Sequence, residues 1–301
     1  MLTIDSQKTS QKLKKFIKDY LVKLERDGIV FGLSGGLDSA VVASLCVKAV
    51  GADKVMALIM PDNDSQKQHL KDALKLAKQL KIKIKLINIT PYLKSLGTWG
   101  LSPLNRLPIP RSLKEKLVKK AFAYYQRKTG INPFADSLLG FKDKKFASWL
   151  QKGNAYYRIK HRLRMVLLYL WAERENRLVV GAANKTEAKI GFFVKHGCDD
   201  AADIMPIVDL YKTQVRQLAQ YLKIPQEIIT KAPSPDIIPG VVDEQAIGMS
   251  YEILDQVLDS LETGLKTKQV AQKLNLQEKE VEKVKRLMKR SEHMRQVYSP
   301  V

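Results

Sequence analysis

Ile29-Val30-Phe31-Gly32-Leu33-Ser34-Gly35-Gly36-Leu37-Asp38-Ser39-Ala40 is the stretch on which the reading of the fold turns. Five short apolar residues, Ile29–Leu33, have the length and β-branching of a buried strand. Gly35 and Gly36 allow a tight turn and close backbone approach. The apolar run Ala40–Val50 that follows has the composition of a helix. A strand, a glycine turn and a helix in succession form the opening half of a βαβ unit. In open parallel sheets ligands bind beyond the carboxyl ends of the strands. The unpaired N–H groups at a helix start favour an anion there. Ser34 and Ser39 add hydroxyl donors. Asp38 repels phosphate unless a cation stands between them, and magnesium is the natural choice. The Gly-Lys-Ser/Thr ending of a Walker A loop is absent. The plain alternative is a tight turn capped by serine, which a lone Ser-Gly-Gly would not exceed.

The alternation continues outward. Ser6–Arg26 carries Leu13, Phe16, Ile17, Tyr20, Leu21 and Leu24 at helical spacing, and Asp27-Gly28 ends it. Val55–Met60 reads as a second buried strand. The helix after it presents Leu70, Ala73, Leu74, Ala77 and Leu80 on one face. Ile82–Ile89 alternates lysine with apolar residues, as a half-exposed strand does. Tyr156–Glu175 reads as a helix and Leu178–Gly181 as another buried strand. The expected fold class is α/β, a doubly wound parallel sheet flanked by helices. Residues 97–153 break the rhythm with Pro103, Pro108, Pro110 and Pro133 and a basic helical segment, Ser112–Lys128, and are read as an insertion or lid. Residues 243–301 read as a helical cap on the sheet, with Val270, Leu274, Val281, Val284 and Leu287 in a short helix, a turn and a longer helix. The whole, 1–301, is expected to be one domain.

Composition narrows the class. The 301 residues are 45% hydrophobic with a mean hydropathy of −0.23, which fits a soluble globular chain. No apolar run approaches the roughly 20 residues that span a bilayer, and the lysine-rich start lacks the apolar segment of a secretory signal. Two cysteines, Cys46 and Cys198, make no disulfide framework, so a reducing cytoplasm is expected. With no Cys-x-x-Cys pair, the sequence gives no zinc or iron–sulfur site. The net charge of +21 comes from lysines spread along the chain. Solvated helix faces account for it most simply, and a polyanionic substrate is the next explanation.

The complete Ser-Gly-Gly-Leu-Asp-Ser string resembles the pyrophosphate-binding loop of the N-type ATP pyrophosphatases. These have a Rossmann-like fold of the adenine nucleotide alpha hydrolase type, and they cleave ATP to AMP and pyrophosphate while adenylating a carbonyl oxygen. The second half of the chain narrows the resemblance to ammonia-dependent NAD synthetases. The matching blocks are Gly181–Glu187, Gly191–Gly197, Asp203–Ile207, Leu210–Val215, Lys231–Asp236, Asp243–Gly248 with Tyr251, and Ser291–His293.

The resemblance implies an ATP-dependent ligase that converts deamido-NAD and ammonia to NAD, acting as a homodimer, with no stable nucleic-acid or membrane partner. It implies that Ser34, Gly35, Gly36, Asp38, Ser39, Lys212 and Ser234 bind ATP, and that Asp38 and Glu187 hold Mg2+. Asp199 would be a catalytic-loop acid, with Lys212 and Ser234 completing the catalytic set. Lys195 and Asp203 would border the pyridine carboxylate, with Phe193 or Phe192 for stacking. Arg158, Arg162 and Arg164 would serve the dinucleotide's phosphates or a dimer interface.

Bland readings stand beside these. Asp203 can be a turn residue, Asp243-Glu244 can simply charge a helix start, and the arginines can form a solvated face. Ala182 stands where the family usually has threonine. Cys198 is additional, which leaves Asp199 and Asp200 as alternatives. The spacing from Asn154 to Arg162 is about one helical turn long, and the insertion is unlike a compact NAD synthetase. Two other functions therefore stay open. One is adenylation of a different acceptor, tRNA or a small carboxylate, with Cys198 as a sulfur carrier. The other is a non-catalytic nucleic-acid-binding module.

Overall fold

The strand at the centre of that first reading is also at the centre of the sheet. The computed structural model describes residues 2–107, 109–140, 144–234 and 239–298. Helix α1 (Ser6–Lys23) buries Leu13, Ile17 and Leu21 along one stripe, and the Asp5 carboxylate caps its first turn. Strand β1 (Gly28–Gly32) follows, then α2 (Leu37–Val50), β2 (Val55–Ile59), α3 (Lys67–Leu80) and β3 (Lys83–Leu86). Helix α2 starts at Leu37, three residues earlier than Ala40. Gly36 is extended (φ −90°, ψ 168°) and serves as its N-cap, so Asp38 and Ser39 lie in the first helical turn.

The sheet order is β3-β2-β1-β4, with every pairing parallel. The chain builds outward from β1 to β3, then crosses back to lay β4 (Arg177–Val180) on β1's other side. The loop after β1 therefore sits where the winding reverses, the place such sheets bind ligands. Alternation along the strands feeds two cores. Ile29, Phe31, Val55, Ala57, Leu178 and Val180 face α1, α2 and α3. Val30, Met56, Leu58 and Val179 face the opposite layer. Strand β3 is exposed along its length, as an edge strand is, and its lysines mark it as such.

That opposite layer is built by α4 (Thr90–Ser95) and by a long helix reached through the expected insertion. The insertion folds as α5 (Arg111–Thr129), α6 (Pro133–Leu139) and the start of α7 (Lys144–Arg174); Pro108 lies outside the described residues. Helix α7 begins twelve residues before Tyr156. Gly153 does not break it, because Leu150 and Tyr156 continue its buried face across the glycine, and one glycine costs only about 1 kcal/mol. The 31-residue helix is about 46 Å long, so it spans from the sheet to the inserted segment.

Three short helices follow β4: α8 (Lys185–Ile190), α9 (Lys212–Tyr221) and α10 (Gln226–Ile229). Then come α11 (Asp243–Ile247), α12 (Tyr251–Glu262), α13 (Thr267–Leu274) and α14 (Glu278–Arg290). The last three bury Leu254, Val257, Val270, Val281 and Leu287 in a core of their own. They cap α6 and α8 through Ala135 and Ile190 instead of covering the sheet directly. No described helix is long and apolar enough to cross a membrane.

A buried ionic knot ties the two halves together. Lys160 on α7 is fully buried and donates to Asp62 (3.1 Å) and Asp64 (2.7 Å), just beyond β2. Tyr156 also donates to Asp64 (2.7 Å), and Arg164 reaches Asp62 (3.0 Å) and the Met60 carbonyl (3.0 Å). Burial alone would raise Asp62; Lys160 and Arg164 overcome it and hold the carboxyl below its ordinary range. Lys160→Met is expected to leave buried Asp64 with no cation and Asp62 with Arg164 alone, and to cost about 3–5 kcal/mol. Chemical denaturation reads this, and an unchanged midpoint would mean the knot adds no stability.

Candidate active site

Geometry at the Ser34–Ser39 loop explains its residue types. Gly35 has φ +79°, and a Cβ there would lie 2.1 Å from the His69 carbonyl oxygen, so no side chain fits. The Ser34 hydroxyl accepts from the Gly36 N–H (3.2 Å) and donates to the Ser39 hydroxyl (3.0 Å), which in turn donates to the Gly36 carbonyl (3.0 Å). These bonds fix the turn. They leave the first-turn N–H groups of α2 without helical carbonyls, as at any helix start. Lys231 braces the loop from outside, donating to the Gly35 carbonyl (2.9 Å) and pairing with Asp72 on α3.

Across from the loop, α8 and α9 present their N-termini. Lys212, at the first position of α9, is buried and points its ammonium at Asp38 (2.5 Å) and Glu187 (3.2 Å). Asn184 caps α8 by accepting from the Glu187 N–H (3.0 Å) and donates to Asp38 (3.2 Å). A single buried carboxylate, Asp255 on α12, locks both helix starts. It accepts from the Thr186 hydroxyl (2.6 Å) and from the Thr213 N–H (2.8 Å) and hydroxyl (2.7 Å). Thr186 in turn accepts from the Lys212 N–H (2.9 Å). Neither Asn184 nor Asp255 stood out as a site residue in the sequence, since each looks like an ordinary polar helix residue.

Asp243 belongs to this cluster too, and does more than charge a helix start. It is 4% exposed, lines the same cavity, and accepts from the Tyr251 hydroxyl (2.9 Å). Its second oxygen, Oδ1, is buried with no partner among the described residues. Electrostatics follow from the crowding. Burial lowers the Lys212 ammonium, but Asp38, Glu187 and Asp243 outweigh it and raise it well above an ordinary lysine. Burial pushes Glu187 up to about 8; Lys212 opposes this, while Asp38 and Asp243 add to it. Asp243 is pushed up to about 6, again mainly by burial. Three carboxylates share one ammonium, so the site is short of positive charge. An all-oxygen donor set with an unpaired buried oxygen suits a hard divalent cation.

The cavity extends from this cluster over about 910 Å³, within the size range of small-molecule sites. The insertion contributes part of the lining, apolar at Leu101, Leu104, Leu117, Phe122 and Trp149 and polar at Ser137, Lys145 and Lys152. Arg158, Arg164, Phe193, Cys198 and Asp199 line it as well. Of the two alternative acids, Asp199 lines the cavity; Asp200 turns away and accepts from the His196 N–H (2.8 Å). His161 contacts Asp199 through Nδ1 (3.1 Å). Burial would raise Asp199, but the His161 contact and Arg164 hold it below its ordinary range, as a carboxylate.

The other expected site residues divide. Ser34, Gly36, Asp38, Ser39, Glu187, Lys212 and Ser234 all line the cavity, and Gly35 shapes the turn behind it. Ser234 donates to the Val241 carbonyl (3.1 Å), whereas Pro235 and Asp236 lie outside the described residues. Phe192 lines the cavity as well, but packs edge-on against Phe134 at 4.9 Å, as core. Arg162, Lys195 and Asp203 are not brought to the cavity. Arg162 donates to the Lys195 carbonyl (3.4 Å) and Lys195 to the His293 (2.8 Å) and Gln296 (2.7 Å) carbonyls. Asp203 accepts from the Val179 N–H (2.8 Å) and the Tyr169 hydroxyl (3.3 Å). The Cys198 thiol is held protonated by burial and by Asp199, the reverse of what a sulfur carrier needs.

Known proteins resemble this chain in sequence and fold. The sequence model of the NAD synthase family matches residues 9–102 and 111–298. An NH(3)-dependent NAD(+) synthetase from Thermotoga maritima is 43% identical over 95% of this chain and 96% of its own length. One from Coprothermobacter proteolyticus is 44% identical over 85% of each. Among solved structures, an NMN synthetase from Francisella tularensis is 31% identical with a TM-score of 0.71, covering 99% of both chains. An NH3-dependent NAD synthetase from Campylobacter jejuni, in complex with the nitrate ion, has a TM-score of 0.68 at 26% identity, covering 99% of this chain and all of its own.

The raised Glu187 carboxyl makes stability depend on pH. Between its free value of 4.5 and about 8, the folded state holds a proton that the unfolded state has lost. Its contribution is therefore present below pH 4.5 and falls as pH rises toward 8. In chelator, the melting temperature should drop across that window. Glu187→Gln should flatten the drop, and a wild-type slope in that variant would contradict the assignment.

Proposed function

The chain belongs to the NAD synthase family and catalyses the ATP-dependent amidation of deamido-NAD to NAD, and we propose that the cavity described above performs it with residues in the following roles. The carboxylate of deamido-NAD attacks the α-phosphate of ATP, pyrophosphate leaves, and ammonia then displaces AMP. What carries the reading is the Asp38–Lys212–Glu187 cluster facing the Ser-Gly-Gly-Leu-Asp-Ser loop.

The triphosphate lies on the start of α2, where free N–H groups and the Ser34 and Ser39 hydroxyls meet the departing pyrophosphate. Lys212 stands at the same point and exchanges its carboxylate partners for phosphate oxygens. Asp38 and Glu187 would hold Mg2+, which when bound neutralises charge building on the phosphates. Glu187 would hold it as the carboxylate, its proton released to solvent. Lys231 keeps the Gly35 turn in place, and Ser234 contacts the phosphates from the opposite loop. Arg158 and Arg164 offer planar forks for the dinucleotide's phosphates, and Phe193 stacks on its pyridine ring. Asp199, held ionised, draws ammonium into the cavity; ammonium gives up one proton to solvent to become the ammonia that attacks, and the second proton leaves the nitrogen to solvent as the C–N bond forms and AMP departs. The apolar part of the lining from 97–153 keeps water from hydrolysing the adenylate.

Support for a homodimer lies on α7. Val166 and Leu170, one turn apart, are 55% and 57% exposed, and Arg162 and Asp203 flank them with Lys195. A second copy packed there would cover the stripe and bring those three polar residues to bound dinucleotide. Leu170→Glu is expected to halve the mass in light scattering; an unchanged mass would place the interface elsewhere.

Incubation with ATP, Mg2+, ammonia and deamido-NAD should yield AMP and pyrophosphate in equal amounts with NAD. The absence of product at any ammonia concentration rejects the reading. Because one neighbour is an NMN synthetase, the deamido mononucleotide belongs in the same assay. A preference for it would change the acceptor and keep the chemistry. Asp38→Asn should lower the rate at least a hundredfold, as expected when a transition-state charge contact is lost.

A further inference from the structure

We propose that His161, Cys198 and Asp199 form a binding site for a borderline divalent ion, zinc above all, on the wall of the active cavity. Neither the loop chemistry nor the amidation uses the cysteine. His161 Nδ1 lies 3.1 Å from an Asp199 oxygen and 3.5 Å from the Cys198 sulfur. The three donor atoms all lie within 4.8 Å of one another. A tetrahedral zinc with ordinary bond lengths to nitrogen, oxygen and sulfur places its ligands about 3.3–3.7 Å apart. Two of the three edges, from Nδ1 to the carboxylate and to the sulfur, are therefore already close to those of such a tetrahedron before any ion binds, and the third needs at most a shift of the side chains.

The chemistry of the set points the same way. Asp199 takes hydrogens from both Nδ1 and the thiol, and a metal ion at the centre of the three would take the place of those two hydrogens. Sulfur and imidazole donors disfavour magnesium and favour zinc and its neighbours, so this site is chemically separate from the oxygen donors at Asp38 and Glu187. Binding forms the sulfur–metal bond as the thiol proton leaves to solvent. The dication then balances one thiolate and one carboxylate, and Arg164 keeps its own partner in Asp62 (3.0 Å). His161 Nε2 is buried without a partner among the described residues in either tautomer, so metal binding through Nδ1 adds no new unpaired atom. All three residues line the cavity, which supplies the entry path and leaves the fourth coordination position to water. The consequence rests on the role proposed for Asp199: a zinc ion there takes that carboxylate out of service, so zinc is a reversible inhibitor of amide formation.

Metal-stripped protein titrated with Co2+ should develop a thiolate-to-cobalt charge-transfer band at one ion per chain, and zinc should displace it while excess Mg2+ should not. Cys198→Ser should lose the band, and His161→Gln should weaken cobalt binding at least tenfold. Should Cys198→Ser fail to fold by circular dichroism, Cys198→Ala takes its place. No band in the wild type, or an equal band in the Cys198 variant, overturns the site. In turnover, zinc should inhibit the wild type at concentrations at least tenfold below those needed for Cys198→Ser, with recovery in chelator. Equal sensitivity overturns the inhibitory role. The spectra need no substrate, so failure of the amidation assay with zinc-free enzyme supplied with Mg2+ would count against the proposed reaction alone.

Discussion

Lys212 and the carboxylates around it constrain the rest of the molecule. A buried ammonium is costly by itself and is kept charged by Asp38 and Glu187 in direct contact and Asp243 nearby. Those groups come from the starts of four different helices, α2, α8, α9 and α11. Holding them together fixes where each helix begins. The cluster remains short of positive charge, with three carboxylates around one ammonium.

The scaffold meets this constraint through buried polar ties. Asp255 reaches from the C-terminal helices to lock the starts of α8 and α9, so a region that caps the fold also sets the aim of Lys212. Lys160 does the corresponding work on the other side, tying α7 to the segment after β2 and leaving Arg164 oriented by Asp62. Side chains lining the cavity at the switch point are thus positioned from both layers of the sandwich.

Much of this was legible in the chain. β1, β2 and β4 are continuous apolar runs, and the glycine turn between β1 and α2 has few alternatives. The Ser34–Ser39 loop and the residues Asp38, Glu187 and Lys212 line one cavity, because each sits at a strand end or helix start whose position the pattern defines, and Ser234 joins them from a loop. Where reading fell short, the cause was tertiary. Gly153 suggested a boundary, yet buried Leu150 and Tyr156 carry α7 through it. Asp243 looked like a helix-start charge until Tyr251 and the cavity gave it a place. Arg162, Lys195 and Asp203 match the family's order of residues but find partners outside the cavity.

Local order in the sequence determined the α/β class, the parallel sheet and the Ser34–Ser39 turn, since strand length, glycine freedom and helix starts are properties of neighbouring residues. The depth of the cavity, the choice of Asp199 over Asp200 and the convergence of His161 with Cys198 are different in kind. His161 and Cys198 are 37 residues apart, on α7 and on the loop after α8. No spacing rule links them. With no Cys-x-x-Cys pair the sequence offered no soft-metal site, and only the packing of that loop against α7 brings three donors to one point.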